Sequence, residues 1–169
     1  MSEPRLMRLN GLLGNMDNLV EIIDYDKKYH SDFKRMNLEY LDKYHLTESH
    51  DLTILENPKG TIIDNGGFIW LARIGEEIVG TVGILDEGHA VFELIKMCVA
   101  ERWRGRGISK LLIETCLKKV KELGGKKLIL FSNHQLQTAL RLYEKYGFKN
   151  VEVKDSPFVT ADVKMELEF

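Results

Sequence analysis

Between Phe68 and Val99 the chain runs through three β-rich segments with almost nothing between them, and this stretch narrows the possible folds more than any other. Phe68 to Ile74 and Ile78 to Leu85 are separated only by Gly75-Glu76-Glu77, a spacing that predicts a hairpin. Asp86-Glu87-Gly88-His89 supplies a second turn into Val91 to Val99. Three consecutive antiparallel strands follow, and a sheet of that kind has to cover its apolar faces with other elements.

The covering elements are legible on either side. Leu19 to Tyr25 reads as a strand; from Lys27 to Tyr44, Tyr29, Phe33, Met36, Tyr40, Leu41 and Tyr44 recur at helical spacing. Ser49 to Leu55 predicts a second, short helix that stops at Asn57-Pro58, because a residue before proline is driven out of the helical region. After Val99 a third helix begins near Ile108, with Leu111, Leu112, Cys116, Val120 and Leu123 on one face and Gly124-Gly125 as its stop. Lys127 to Ser132 is a strand, Leu136 to Tyr143 the apolar face of a fourth helix ending at Gly147, and Val151 to Lys154 and Val159 to Phe169 two closing strands. The order β-α-α-β-β-β-α-β-α-β-β predicts a mixed α/β (α+β) sheet flanked by four helices. Residues 19–169 are expected to form one domain and residues 1–18 an extension with no assignable structure.

Composition excludes several classes. Hydrophobic residues are 44% and charged residues 30% of the chain, and no apolar run approaches the ~20 residues that span a bilayer. Met1 to Leu13 lacks the apolar core of a secretory signal, so a cytoplasmic location and no membrane partner are expected. Cys98 and Cys116 sit among apolar neighbours and read as buried thiols, and the five histidines show no metal-ligand spacing, so no metal is expected. The net charge of −2 is uneven: from Lys96 to Lys127 ten basic residues face three acidic ones, leaving fourteen against twenty-three elsewhere. A basic segment on an acidic chain predicts a confined anion site rather than a nucleic-acid face, with Lys118, Lys119 and Lys121 solvating a helix.

That anion site has a place. Arg102-Trp103-Arg104-Gly105-Arg106-Gly107 joins the strand ending at Val99 to the helix starting near Ile108. Two glycines let the backbone approach a bulky anion, and the first free amides of the helix, those of Gly107, Ile108 and Ser109, point at it with the positive end of the helix dipole. Geometry alone leaves the guest open among phosphates. The turn is not a Walker loop, since Gly-Lys-Ser/Thr is missing, nor a dinucleotide fingerprint, since the third glycine is missing.

Arg102, Gly105 and Gly107 match Gln/Arg-x-x-Gly-x-Gly/Ala, and Ala139, Tyr143, Gly147 and Phe148 match Ala-x-x-x-Tyr-x-x-x-Gly-Phe. In these two motifs, in this order and on these elements, the chain resembles the GNAT family of acyl-CoA-dependent N-acetyltransferases from about Leu19 to its C-terminus. The resemblance implies a mostly antiparallel sheet splayed between its fourth and fifth strands, 91–99 and 127–132. It implies acetyl-CoA as co-substrate. The backbone at Arg104, Gly105, Arg106, Gly107, Ile108 and Ser109 would hold its pyrophosphate, Arg102 would add charge at the rim, and Met97, Cys98 and Val99 would pair with its pantetheine arm. Tyr143 would be the general acid toward the leaving thiolate. Where many members carry an asparagine three residues before Ala139 this chain has Leu136, and Asn133 is the residue that would take over part of the cofactor contact.

An attacking amine has to lose a proton. Glu93, a carboxylate in the middle of an apolar strand, is the candidate base, set against a structural ion pair with Lys96; strict alternation places it on the face of Ile95, Met97 and Val99. His134 is the lesser candidate. The acceptor, a small-molecule or peptide amine, would enter along the first two helices and the loop before the last strand. The many carboxylates from Asp24 to Glu56 read as a solvated helix face. The predicted activity is direct acyl transfer to a primary amine; the alternatives are a catalytically silent acyl-CoA sensor and a nucleic-acid binder with steep salt dependence. Free sheet edges leave a homodimer open.

Overall fold

The computed structural model describes residues 5–8 and 19–169; apart from residues 5–8, the expectation for residues 1–18 lies outside the described residues. Among the described residues eight strands form one sheet in the order β1-β2-β3-β4-β5-β6-β8-β7. They are β1 (Arg5–Arg8), β2 (Leu19–Asp24), β3 (Phe68–Ile74), β4 (Glu77–Gly88), β5 (Val91–Val99), β6 (Lys127–Ser132), β7 (Lys149–Val151) and β8 (Val163–Glu168). All neighbours are antiparallel except β5 and β6. Those two pair only at Val91 with Lys127, Phe92 with Leu128 and Glu93 with Ile129, then diverge. The expected splay therefore falls after Glu93, and the edge of β5 from Leu94 onward has no strand beside it among the described residues.

Among the described residues five α-helices accompany the sheet: α1 (His30–Lys43), α2 (Ser49–Glu56), α3 (Pro58–Thr61), α4 (Ile108–Glu122) and α5 (Gln137–Lys145). Four were legible; α3 is a single turn that Pro58 starts and the Asn57 side chain caps, accepting from the Gly60 amide at 3.0 Å. Phe33 and Met36 of α1 and Ile54 and Leu55 of α2 bury one face of the sheet against Ile69, Leu71, Ile78, Ile95 and Cys98. On the other face Leu111, Leu112 and Cys116 of α4 and Tyr143 of α5 pack against Trp70, Val82 and Leu94. Gly80 makes the close approach of α4 possible, since a Cβ there would stand 3.1 Å from Leu112 Cδ1 and 3.3 Å from Ile108 Cγ2.

Four expectations need correction. The turn between β4 and β5 sits at His89-Ala90, both at positive φ, so β4 runs on to Gly88. Leu123 lies past the end of α4 and is exposed, because the helix stops one residue before it. The closing strands are shorter than their apolar alternation suggested: β7 starts at Lys149, and residues 152–162 form a loop on which Val159 is 95% exposed. The fourth is a bulge. Thr81 pairs with Cys98 and Gly83 with Ile95, so Lys96 and Met97 together oppose Val82, with Lys96 at φ 52°. The extra residue shifts alternation by one: Glu93 shares a face with Ile95 and Cys98, while Met97 and Val99 join the α4 side.

Candidate functional site

The divergence of β5 from β6 opens a cleft of about 110 Å³ through the sheet. Its walls come from both faces: Tyr40 of α1 and Asp51 of α2 on one side, Ala139 and Tyr143 of α5 on the other, with β5, β6 and the loop at Phe158 to Ala161 between them. Of the sequence-predicted residues, Glu93, Met97, Asn133 and Tyr143 meet in this lining. The first two helices and the loop before the last strand, the elements named in advance for the acceptor, contribute Tyr40, Asp51, Phe158 and Thr160 to this lining.

Tyr143 reaches the cleft from the fourth helix of the sequence reading, 6% exposed, with its ring 5.7 Å from Phe148. Burial, with Tyr40 and two thiols nearby, pushes its phenol well above the ordinary value, so the hydroxyl stays protonated across any physiological pH. Among the described residues no group hydrogen-bonds that hydroxyl, and it is not sealed from solvent. A protonated, unengaged donor at an opening in the sheet is suited to deliver a proton.

Glu93 is 4% exposed. Burial, then the hydrogen bond that protonated Glu93 donates to the Glu87 carboxylate and the charge of Glu87, raises its carboxyl to about 8, against the pull of Lys96 and Lys164. The ion pair foreseen with Lys96 does not form. Lys96 turns to Asp51 of α2, and both side chains are buried, at 6% and 2% exposure. The left-handed backbone at Lys96 aims its ammonium under α2, 5.3 Å from the Phe158 ring centroid. Asp51 is thus no part of a solvated face, as its run of acidic neighbours had suggested; a carboxylate so deeply buried requires a partner.

The turn into α4 has the backbone that its glycines implied. Gly105 and Gly107 stand at φ 74° and 83°, and Gly107 is the N-cap of α4. No side chain caps this helix and no acid lies in its first turn, so its leading amides face outward with the positive end of the dipole. Ile108 is buried and anchors the turn; Ser109 is half-exposed beside it. The arginines are arranged differently from a simple ring of charge. Arg102 is held by Glu77, which also accepts from Trp103 Nε1 at 3.3 Å. Arg104 turns back, donating from Nε to the Val99 carbonyl at 3.2 Å with its guanidinium 5.6 Å over Tyr40. Arg106 lies 4.8 Å over Trp103 and has no carboxylate partner among the described residues. Lys118 and Lys119 both reach Glu122, the solvated-helix pattern foreseen for them.

Three residues are engaged by the protein itself. Cys98 of β5 points to the α1 side of the sheet, hydrogen-bonded with Thr81 at 3.3 Å and Asn37 at 3.6 Å, and its thiol is pushed up to about 11 by burial, which suits packing and not nucleophilic attack. Asn133 donates to the Thr160 carbonyl at 2.8 Å and accepts from the Gln135 amide at 3.0 Å, so its amide is largely spent on tying β6 to the loop before β8. His134 is exposed and paired with Asp162. Among the described residues no group of three or more His, Cys, Asp or Glu is placed to hold a metal, and no helix is long and apolar enough to cross a membrane.

Sequence reasoning missed Asp51, Lys96 and Phe158 as residues of the cleft, and Glu48 behind them. The signal for Lys96 was the same as for Glu93, a charge inside an apolar strand, but its partner lies 45 residues away and only the fold identifies it.

Comparison with known proteins agrees with this geometry. Residues 28–148 match the model of the acetyltransferase (GNAT) family. N-acetyltransferase 8 of Rattus norvegicus is 32% identical over 115 residues, which is 65% of this chain and 50% of that protein. The N-acetyltransferase YvbK of Bacillus subtilis is 28% identical over 105 residues, 60% of this chain and 68% of that protein. The chain spans about half the length of the mammalian relatives it matches. Among solved structures, a GNAT acetyltransferase from Staphylococcus aureus Mu50 superposes with a TM-score of 0.82 at 23% identity, covering 88% of this chain and 98% of that one. The PaiA N-acetyltransferase of Thermoplasma acidophilum, solved with coenzyme A, gives 0.70 at 16% identity over 89% and 99%. With the splayed sheet, the uncapped α4 turn and a family model covering most of its length, this chain belongs to the GNAT acetyltransferase family.

Proposed function

We propose that the protein transfers an acetyl group from acetyl-CoA directly to a primary amine, with Tyr143 as general acid and Glu93 as general base. The observation that carries this reading is the cleft itself: a protonated phenol and a buried carboxyl of raised affinity for protons meet where β5 and β6 part, and the end of β5 leads through the glycine turn to a helix start with free amides. Pyrophosphate suits the Gly105 to Ser109 backbone, with Arg106 the cation free to meet it. The pantetheine arm then lies along the open edge of β5 past Met97, where Val99 offers less than its neighbours because Arg104 already uses its carbonyl.

The amine arrives as an ammonium and gives one proton to ionised Glu93. Its lone pair forms the C–N bond at the thioester carbonyl, and collapse of the tetrahedral intermediate breaks the C–S bond. The sulfur takes the Tyr143 proton, the nitrogen sheds its second proton to solvent, from which Tyr143 is restored, and Glu93 releases the first proton to solvent and is ionised again. A carboxylate whose acid form titrates near 8 takes a proton from an ammonium at a smaller uphill cost than an ordinary glutamate would, which is the tuning a base for ammonium groups needs. No acyl-enzyme is required, consistent with the raised and hydrogen-bonded Cys98 thiol.

The test is a panel of primary amines with acetyl-CoA and longer acyl-CoAs, following free thiol and the mass of the amide. Amine-dependent thiol release supports transfer. Acetyl-CoA binding with no thiol release for any amine makes the chain an acyl-CoA sensor instead.

A further inference from the structure

Glu48 does not line the cleft, yet it ties together the wall the acceptor would face. It stands just before α2 and its carboxylate accepts from the amides of Val159 at 2.7 Å and Thr160 at 2.8 Å and from the Thr160 hydroxyl, residues more than a hundred positions away in sequence. The same residue forms a reciprocal cap with Asp51: the Asp51 carboxylate accepts from the Glu48 amide at 3.0 Å and the Glu48 side chain accepts from the Asp51 amide. Asp51 in turn holds Lys96, and Lys96 lies under the Phe158 ring, whose edge meets His50 at 4.8 Å. Glu48, Asp51, Lys96, Phe158 and Thr160 thus close a circuit, and the circuit fixes both an aromatic wall and the charge state of the pocket behind it.

That charge state has a consequence for what fits. Asp51 and Lys96 neutralise each other inside the cleft, with Leu41, Leu46, Phe131 and Phe158 as the apolar part of the lining; the other carboxylate there is Glu93, which the proton taken from the reacting amine leaves neutral. A second ammonium or a carboxylate on the acceptor would be buried against a pair with no charge to spare and would lose its hydration without compensation. An uncharged aromatic body gains from burial against Phe158. We infer that Glu48 is a positioning residue for the acceptor, and that the wall it holds selects primary amines carried on an apolar, aromatic body without a second charge. The inference rests on the acyl-transfer reading of the cleft.

The experiment compares 2-phenylethylamine, spermidine and glycine as acceptors with saturating acetyl-CoA, in the wild type and in Glu48→Ala, Glu48→Gln and Thr160→Val. The expected result is kcat/KM for 2-phenylethylamine at least about tenfold above the other two, since one uncompensated charge is worth more than that. Glu48→Ala raises the KM for 2-phenylethylamine about tenfold with kcat and the KM for acetyl-CoA little changed, and Glu48→Gln, which keeps one accepting oxygen, recovers part of it. Thr160→Val leaves the α2 cap intact and shifts the same KM in the same direction, so a folding defect in Glu48→Ala does not decide the matter. Preference for spermidine or glycine, no turnover of any of the three with cofactor bound, or an amine KM unmoved in all three variants overturns the inference while leaving acyl transfer standing. Failure of the wild type to bind acetyl-CoA by calorimetry removes the transfer reading and this inference with it.

Discussion

Glu93→Gln keeps the size and hydrogen-bonding capacity of a side chain that is 4% exposed while removing its proton affinity, so it separates chemistry from packing. With the carboxyl held at about 8 by burial and by Glu87, only about a tenth of molecules carry the ionised base at pH 7. Turnover through Glu93 should therefore climb about tenfold per pH unit up to about 8 and level off above it. In Glu93→Gln that limb should vanish and the plateau should drop on the order of a hundredfold, the lower range for loss of a general base. Stability should move the other way. A carboxyl whose folded value is raised makes no difference below its ordinary value near 4.5, where both states hold the proton. Between about 4.5 and 8 the unfolded chain releases that proton and the folded one does not, so wild-type stability falls by up to about 1.4 kcal/mol per pH unit, and above 8 the full cost persists. Glu93→Gln should thus unfold at a progressively higher temperature than wild type as pH rises from 5 to 8. The assays are thiol release at saturating acetyl-CoA and thermal unfolding across the same buffers. A variant that keeps the wild-type pH profile refutes the base assignment, and a constant difference in unfolding temperature refutes the raised affinity.

Tyr143→Phe should lower kcat by about two orders of magnitude and leave the affinity for acetyl-CoA within a few-fold, read by steady-state kinetics and calorimetry; unchanged turnover removes the acid role. Asp51→Ala leaves the Lys96 ammonium buried without its partner and should cost about 3–5 kcal/mol of stability by denaturant unfolding, whereas Asp51→Leu combined with Lys96→Met should restore most of it, since a buried pair is costlier to break than to replace.

The legible part of this fold was the part with local causes. Alternation between Phe68 and Val99, the helical stripe of α4 and the glycines at its start each announce themselves within a few residues, and the two motifs placed Tyr143 and the glycine turn into α4 on the right elements. What escaped was non-local. The bulge at Lys96 depends on register against β4, and a one-residue slip there moved Met97 and Val99 to the face opposite Glu93. Asp51 looked like one more surface acid because its counter-ion comes from β5, and Glu48 because its partners lie in the loop before β8. The end of the chain was misjudged for a related reason: apolar alternation from Val159 suggested strand, but only Val163 onward finds β6 to pair with.

The donor site is where the account is most exposed to a single measurement, the calorimetric titration of acetyl-CoA into wild type, Gly107→Asn and Gly107→Glu. Asparagine tolerates the left-handed backbone at φ 83° and serves as the control for strain. The account predicts that wild type and Gly107→Asn bind alike and that Gly107→Glu, with a carboxylate at the start of α4, weakens binding at least about tenfold through blocked access and repulsion of the pyrophosphate. Binding of acetyl-CoA to Gly107→Glu at wild-type affinity would contradict it.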